Sequence, residues 1–126
     1  MSDQKPRVLV VDDEPAVLRV TARVVRSLGF EAMEAVSLSE AIRLAVADPP
    51  SVALLDLHLG DASGLTVAQR MRAEAPGVPM VFTTGGIEGA LEDMLAAYGT
   101  LLGKPFDREA LRAALQEAVD QGSRPT

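Results

Sequence analysis

The chain has 126 residues, of which 48% are hydrophobic and 24% charged, and its net charge is −6. That length suits one compact domain and leaves little for a second. The twelve Lys and Arg residues are scattered, which disfavours nucleic-acid binding; cysteine is absent, which removes disulfide and thiolate chemistry; and the longest apolar run, Met94 to Tyr98, is far below the roughly 20 residues that cross a bilayer. The N-terminus lacks the cationic and apolar segments of a signal peptide, so the expected location is cytoplasmic. Met1 to Lys5 and Gln121 to Thr126 are polar and read as loose tails around a single domain, 1–126, with its core at about 7–120.

Taken in chain order, short β-branched runs alternate with segments of helical period. The first strand is predicted at Arg7 to Val11 and runs into Asp12, Asp13 and Glu14. Val17, Val20, Val24, Val25 and Leu28 then recur at helical spacing, and Gly29 supplies a C-terminal stop. A second strand is expected at Phe30 to Glu34. Ser37 and Glu40 form a capping box ahead of Ile42, Ala45 and Val46, the second helix. Ser51 to Asp56 reads as the third strand, and Leu65, Ala68 and Met71 outline a helix after Gly64. Pro79 to Thr83 forms the fourth strand; Leu91, Met94, Leu95 and Tyr98 outline its helix. Leu101 to Gly103 makes a weak fifth strand before a helix of Leu111, Ala114, Leu115 and Ala118, with Asp107 as N-cap. Five βα units imply an α/β fold, a doubly wound parallel sheet with helices on both faces.

In such sheets ligands bind beyond the carboxyl ends of the strands. Here those ends carry Asp12 and Asp13, then Asp56, then Thr83 and Thr84, and finally Lys104. If the strand order is 2-1-3-4-5, the four strands concerned are neighbours about 4.8 Å apart with Asp56 on the central one. Two carboxylates about 4 Å apart repel by roughly 4 kcal/mol at an effective dielectric near 20, so the cluster calls for a cation. A hard, oxygen-seeking ion such as Mg²⁺ suits it. A carboxylate beside Mg²⁺, a Thr and a Lys points to an aspartyl-phosphate site. Helix capping alone could explain one acid after the first strand but not three.

The motifs "VLVVDDEP", "LLDLHLGDASGL", "VPMVFTTGG" and "GKPF", in this order and spacing, resemble the receiver domain of two-component response regulators from about Val8 to Val119. The resemblance implies a flavodoxin-like, five-stranded sheet of order 2-1-3-4-5. It implies Asp56 as phosphoacceptor, Asp12 and Asp13 as Mg²⁺ ligands, the backbone carbonyl of His58 as a further ligand, and Lys104 as the family's lysine before a cis Pro105. Thr84 matches the hydroxyl that bonds the transferred phosphoryl group, with Thr83 as fallback. The implied partners are a sensor histidine kinase or histidine phosphotransfer protein and a downstream protein target. The expected product is a switch of the surface made by the fourth helix, fifth strand and fifth helix, in a monomer or weak homodimer that acts alone or in a phosphorelay. The chain then accepts and slowly hydrolyses its own phosphoryl group and turns over no external substrate. Three positions depart from the pattern: Leu101 replaces a common aromatic, Gly60 replaces a common Pro, and Gly99 to Lys104 is slightly short.

Other readings fit less well. An aspartyl phosphatase of the haloacid dehalogenase type carries a second Asp two positions after its nucleophile, where this chain has His58. A flavodoxin-like electron carrier needs a phosphate loop where Asp12 and Asp13 would repel the flavin phosphate. His58 is expected to be exposed and without a catalytic role of its own beyond influencing hydrolysis. The nearest rival is a degenerate receiver that only docks partners, yet no acid or lysine of the motif is missing.

Overall fold

In a computed structural model of the chain, described for residues 5–57, 63–85 and 89–123, five strands alternate with five helices: β1 (Arg7–Val11), α1 (Pro15–Ser27), β2 (Glu31–Ala35), α2 (Leu38–Ala47), β3 (Val52–Asp56), α3 (Gly64–Glu74), β4 (Met80–Thr84), α4 (Gly89–Ala96), β5 (Gly99–Gly103) and α5 (Arg108–Ser123). The strands pair in parallel in the order β2-β1-β3-β4-β5, as expected. β3 and β4 are buried along their whole length, which is why VALLD and MVFTT read as unbroken runs and not as alternating ones.

Side-chain alternation along each strand feeds two cores. Leu9, Leu55 and Phe82 pack with residues of α2, α3 and α4, whereas Val10, Leu54 and Val81 pack with residues of α1 and α5. Two helices therefore cover one face and three the other.

The caps follow local chemistry. Ser37 accepts the Glu40 N–H at 3.1 Å, and the Glu40 carboxylate reaches back to the Val36 N–H at 3.1 Å, so the expected box closes one residue early on its return arm. Asp107 Oδ1 accepts the Ala110 N–H at 2.7 Å, as its predicted N-cap role requires. Gly29, at φ 100°, lets the chain turn sharply after α1, and Phe30 N–H still bonds the Val25 carbonyl at 3.4 Å. That turn delays β2 to Glu31, which pairs with Arg7, one residue later than the sequence pattern suggests.

Other boundaries differ as well: β3 begins at Val52 and not at Ser51. β4 begins at Met80 because Pro79 has no N–H for the ladder, and it extends to Thr84, which pairs with Gly103. α4 ends at Ala96, so Tyr98 lies in a turn beyond the helix that its spacing suggested. α5 includes Gln121 to Ser123, which composition had assigned to a tail.

β5 starts two residues earlier than expected because Gly99 permits a close approach. A Cβ there would lie 2.2 Å from the Met80 carbonyl oxygen, a backbone atom that cannot turn aside. Gly99→Ala is therefore expected to destabilise the fold by about 3 kcal/mol and to lower the melting temperature by roughly 10 °C, read by circular dichroism.

Candidate phosphoacceptor site

The carboxyl ends of β1, β3, β4 and β5 meet at one edge of the molecule. Asp56 closes β3 and is 8% exposed; Asp12 follows β1 and is 6% exposed. Their strands are neighbours, and Asp12 and Asp56 stand one position beyond the paired Val11 and Leu55. The two carboxyl groups are close enough to share a hydrogen bond when one is protonated.

Burial pushes the Asp12 carboxyl above its ordinary value of 3.8, the Glu14 N–H pulls it down, the nearby Asp56 charge pushes it up again, and Lys104 offsets part of this. The Glu14 N–H donates to Asp12 Oδ1 at 3.0 Å. Glu14 is the N-cap of α1 but makes no side-chain cap bond, and Pro15 occupies the first turn. Capping by Glu14 is thus not what the acidic run supplies.

Lys104 completes the arrangement. Its N–H donates to the Thr84 carbonyl at 2.7 Å, the following bond to Pro105 is cis, and its Nζ stands 3.3 Å from Asp56 Oδ2. Because β4 lies between β3 and β5, this ion pair crosses over the end of β4. Thr83 and Thr84, both 6% exposed, are the β4 residues at that level. Of the residues picked from sequence, the structure thus brings Asp12, Asp56, both threonines and Lys104 to one place.

Asp13 is exposed on the turn after Asp12. His58, assigned a carbonyl ligand role by resemblance, and Gly60 lie outside the described residues. Among the described residues no group of three His, Cys, Asp or Glu side chains is close enough to hold a metal. The buried Asp12 and Asp56 pair still fits a small hard cation, because Mg²⁺ is commonly held by one or two protein carboxylates with waters and phosphate oxygens filling the other positions.

Two contacts form only in the folded chain. Arg72 on α3 places its guanidinium 5.4 Å from the Tyr98 ring centroid and donates to the Tyr98 carbonyl at 2.8 Å, tying α3 to the turn before β5. Leu101, where an aromatic is common, is partly buried against the core on the α2, α3 and α4 face and pairs with Phe82.

The family described as response regulator receiver domain matches residues 8–116. Among curated proteins, the acid tolerance regulatory protein ActR of Sinorhizobium medicae (strain WSM419) is 38% identical over 85% of this chain and 56% of its own length. The probable transcriptional regulatory protein TcrX of Mycobacterium tuberculosis (strain ATCC 25618 / H37Rv) is 35% identical over 95% of this chain and 56% of its own. The chain thus spans a little over half the length of these relatives. A receiver domain protein described as CheY-like, from Methanospirillum hungatei JF-1, superposes with a TM-score of 0.84 at 23% identity, covering 94% of this chain and 97% of that one. The signal receiver domain of an HD domain-containing protein from Pseudomonas fluorescens Pf-5 gives 0.82 at 22%, covering 94% and 98%. Receivers of this kind take phosphate from histidine kinases and generally bind Mg²⁺ at their acidic pocket. From Val8 to Gln116, then, and in its sheet order, this chain belongs to the response regulator receiver domain family.

Proposed function

We propose that Asp56 accepts a phosphoryl group from a phosphohistidine of a sensor kinase or phosphotransfer protein. The observation that carries this reading is the Lys104 Nζ to Asp56 Oδ2 contact of 3.3 Å, made across β4 beside the buried Asp12. It supports a carboxylate held at one position with an ammonium beside the oxygen that would attack.

In the reaction an Asp56 oxygen bonds to phosphorus as the bond from phosphorus to the histidine nitrogen breaks, and the imidazole leaves with the bonding pair. Lys104 offsets negative charge on the transferring oxygens. The Thr84 hydroxyl donates to a phosphoryl oxygen once the acyl phosphate has formed. Asp12, Asp13, Asp56 and the His58 carbonyl are the groups that would hold Mg²⁺, which when bound supplies neutralising charge. The new phosphoryl group, about −1.5 to −2 in charge, draws Thr84 inward and shifts the surface of α4, β5 and α5 toward a downstream protein target. The reset is hydrolysis of the protein's own acyl phosphate, so the chain acts as a switch and not as a turnover enzyme.

The test is incubation with acetyl phosphate and Mg²⁺ followed by intact mass analysis. One phosphoryl group, lost at alkaline pH, is the expected result. No mass gain at any Mg²⁺ concentration would overturn this reading and leave a docking module that works without phosphorylation.

A further inference from the structure

Beyond Asp56, Thr84 and Lys104, the geometry points to Thr83 as a positioning residue that sets the lifetime of the phosphorylated state, an inference that rests on the reading of Asp56 as acceptor. Thr83 is the β4 residue in register with Asp56. The alternation of both strands puts the two side chains on the same face of the sheet: Val81 and Leu54, two residues before each, both pack in the core under α1 and α5, while Phe82 and Leu55 face the other way. Thr84, the last residue of β4, lies one position beyond that register and pairs with Gly103.

Neighbouring strands lie about 4.8 Å apart, so side chains in register on one face of this parallel pair are near enough for a Thr to reach an Asp. The Thr83 carbonyl accepts the Leu57 N–H at 3.1 Å, which locks its strand to the residue just after Asp56. Lys104 reaches Asp56 by crossing the end of β4, so Thr83 lies in the strand that the ion pair spans. Thr83 is 6% exposed. Among the described residues its hydroxyl makes no hydrogen bond, whereas Thr84 has a partner. Arg72 Nε, and not the Thr83 oxygen, is the buried side-chain atom left without a partner among the described residues, so the Thr83 hydroxyl keeps some access at the strand end, and the Asp56 carboxylate is the acceptor that its register offers.

The chemistry gives that donor a direction. In hydrolysis a water oxygen bonds to phosphorus, the bond from phosphorus to the Asp56 oxygen breaks with its electron pair returning to the carboxylate, and the proton shed by the water passes to the departing phosphate. Charge grows on the Asp56 carboxyl as the bond breaks. A hydroxyl that donates to it binds the transition state more tightly than the acyl phosphate, and so speeds loss of the phosphoryl group. The same donor gives no advantage to phosphoryl uptake, in which that charge is lost.

The experiment phosphorylates wild type, Thr83→Val and Thr83→Ser with acetyl phosphate, removes the donor and follows decay by intact mass. Thr83→Val is expected to lengthen the half-life about tenfold without slowing uptake, and Thr83→Ser, which keeps the hydroxyl, to stay within about twofold of wild type. Equal or shorter half-lives for Thr83→Val overturn the role of Thr83, as does a Thr83→Ser variant that decays as slowly as the valine, since the effect then lies in packing. A wild-type chain that gains no phosphoryl mass on Asp56 sinks both this role and the acceptor reading, and so separates the two kinds of failure.

Discussion

Asp56→Asn is expected to stop phosphoryl uptake from acetyl phosphate, lowering the rate at least about a thousandfold, while the chain stays folded. The amide is nearly the same size as the carboxylate and can still present an oxygen toward Lys104, so the packing at the end of β3 is retained. What disappears is the nucleophile, because an amide oxygen carries no full charge and cannot form a stable acyl phosphate. Intact mass after incubation is the measurement, with thermal melts as the control for folding. Should the variant gain the phosphoryl mass at the wild-type rate, the acceptor lies elsewhere. Asp12 is the side chain to examine then, since it is the other buried acid of the site.

The second large effect is on stability and runs opposite to the usual direction for a substitution. Asp12→Asn is expected to stabilise the metal-free chain at neutral pH by about 0.5 to 2 kcal/mol, a typical gain when strain at a functional site is relieved. Burial first, and then the Asp56 charge, hold the Asp12 carboxyl above 3.8 in the folded chain. A raised carboxyl means that the folded state binds its proton more tightly than the unfolded state does. The contribution of Asp12 to stability is therefore fully present below pH 3.8 and is lost as pH rises through the higher folded value. At neutral pH the wild type carries the whole penalty and the Asn variant carries none. The two melting curves should coincide in acid and separate as pH rises, by a few degrees at pH 7. A wild type more stable than the variant at pH 7 without metal would contradict this account. Added Mg²⁺ is expected to narrow the gap: at ten times its dissociation constant a ligand of the folded state adds about 1.4 kcal/mol, and the variant, short of one carboxylate, gains less.

These two effects share a cause. The site concentrates negative charge where folding would avoid it, and the chain tolerates this with one ammonium, Lys104, whose side chain is 39% exposed. At that exposure the ion pair adds little to stability by itself. Its value lies in where it puts the charge relative to Asp56.

Most of the architecture was legible in the chain because it rests on local physics. Buried runs such as VALLD, the Ser37 and Glu40 box and the Asp107 cap all act within a few residues; the recurrence of Val17 to Leu28 located α1 but not its inward face, since Val17 and Val20 are exposed and Leu18, Ala22 and Val25 are buried. The acids, the threonines and Lys104 could be picked out because each stands at the end of a strand, and the alternation of strand and helix puts those ends on one edge of the sheet. What no local pattern contains is lateral register. That Asp56 faces Thr83, that Lys104 reaches across β4, that Gly99 is pressed against the Met80 carbonyl, and that Arg72 clasps Tyr98 are matters of how separate strands and helices meet. Residues far apart in the chain acquire such neighbours only when the sheet closes, because the contacts depend on pairing offsets and packing distances that no single segment encodes.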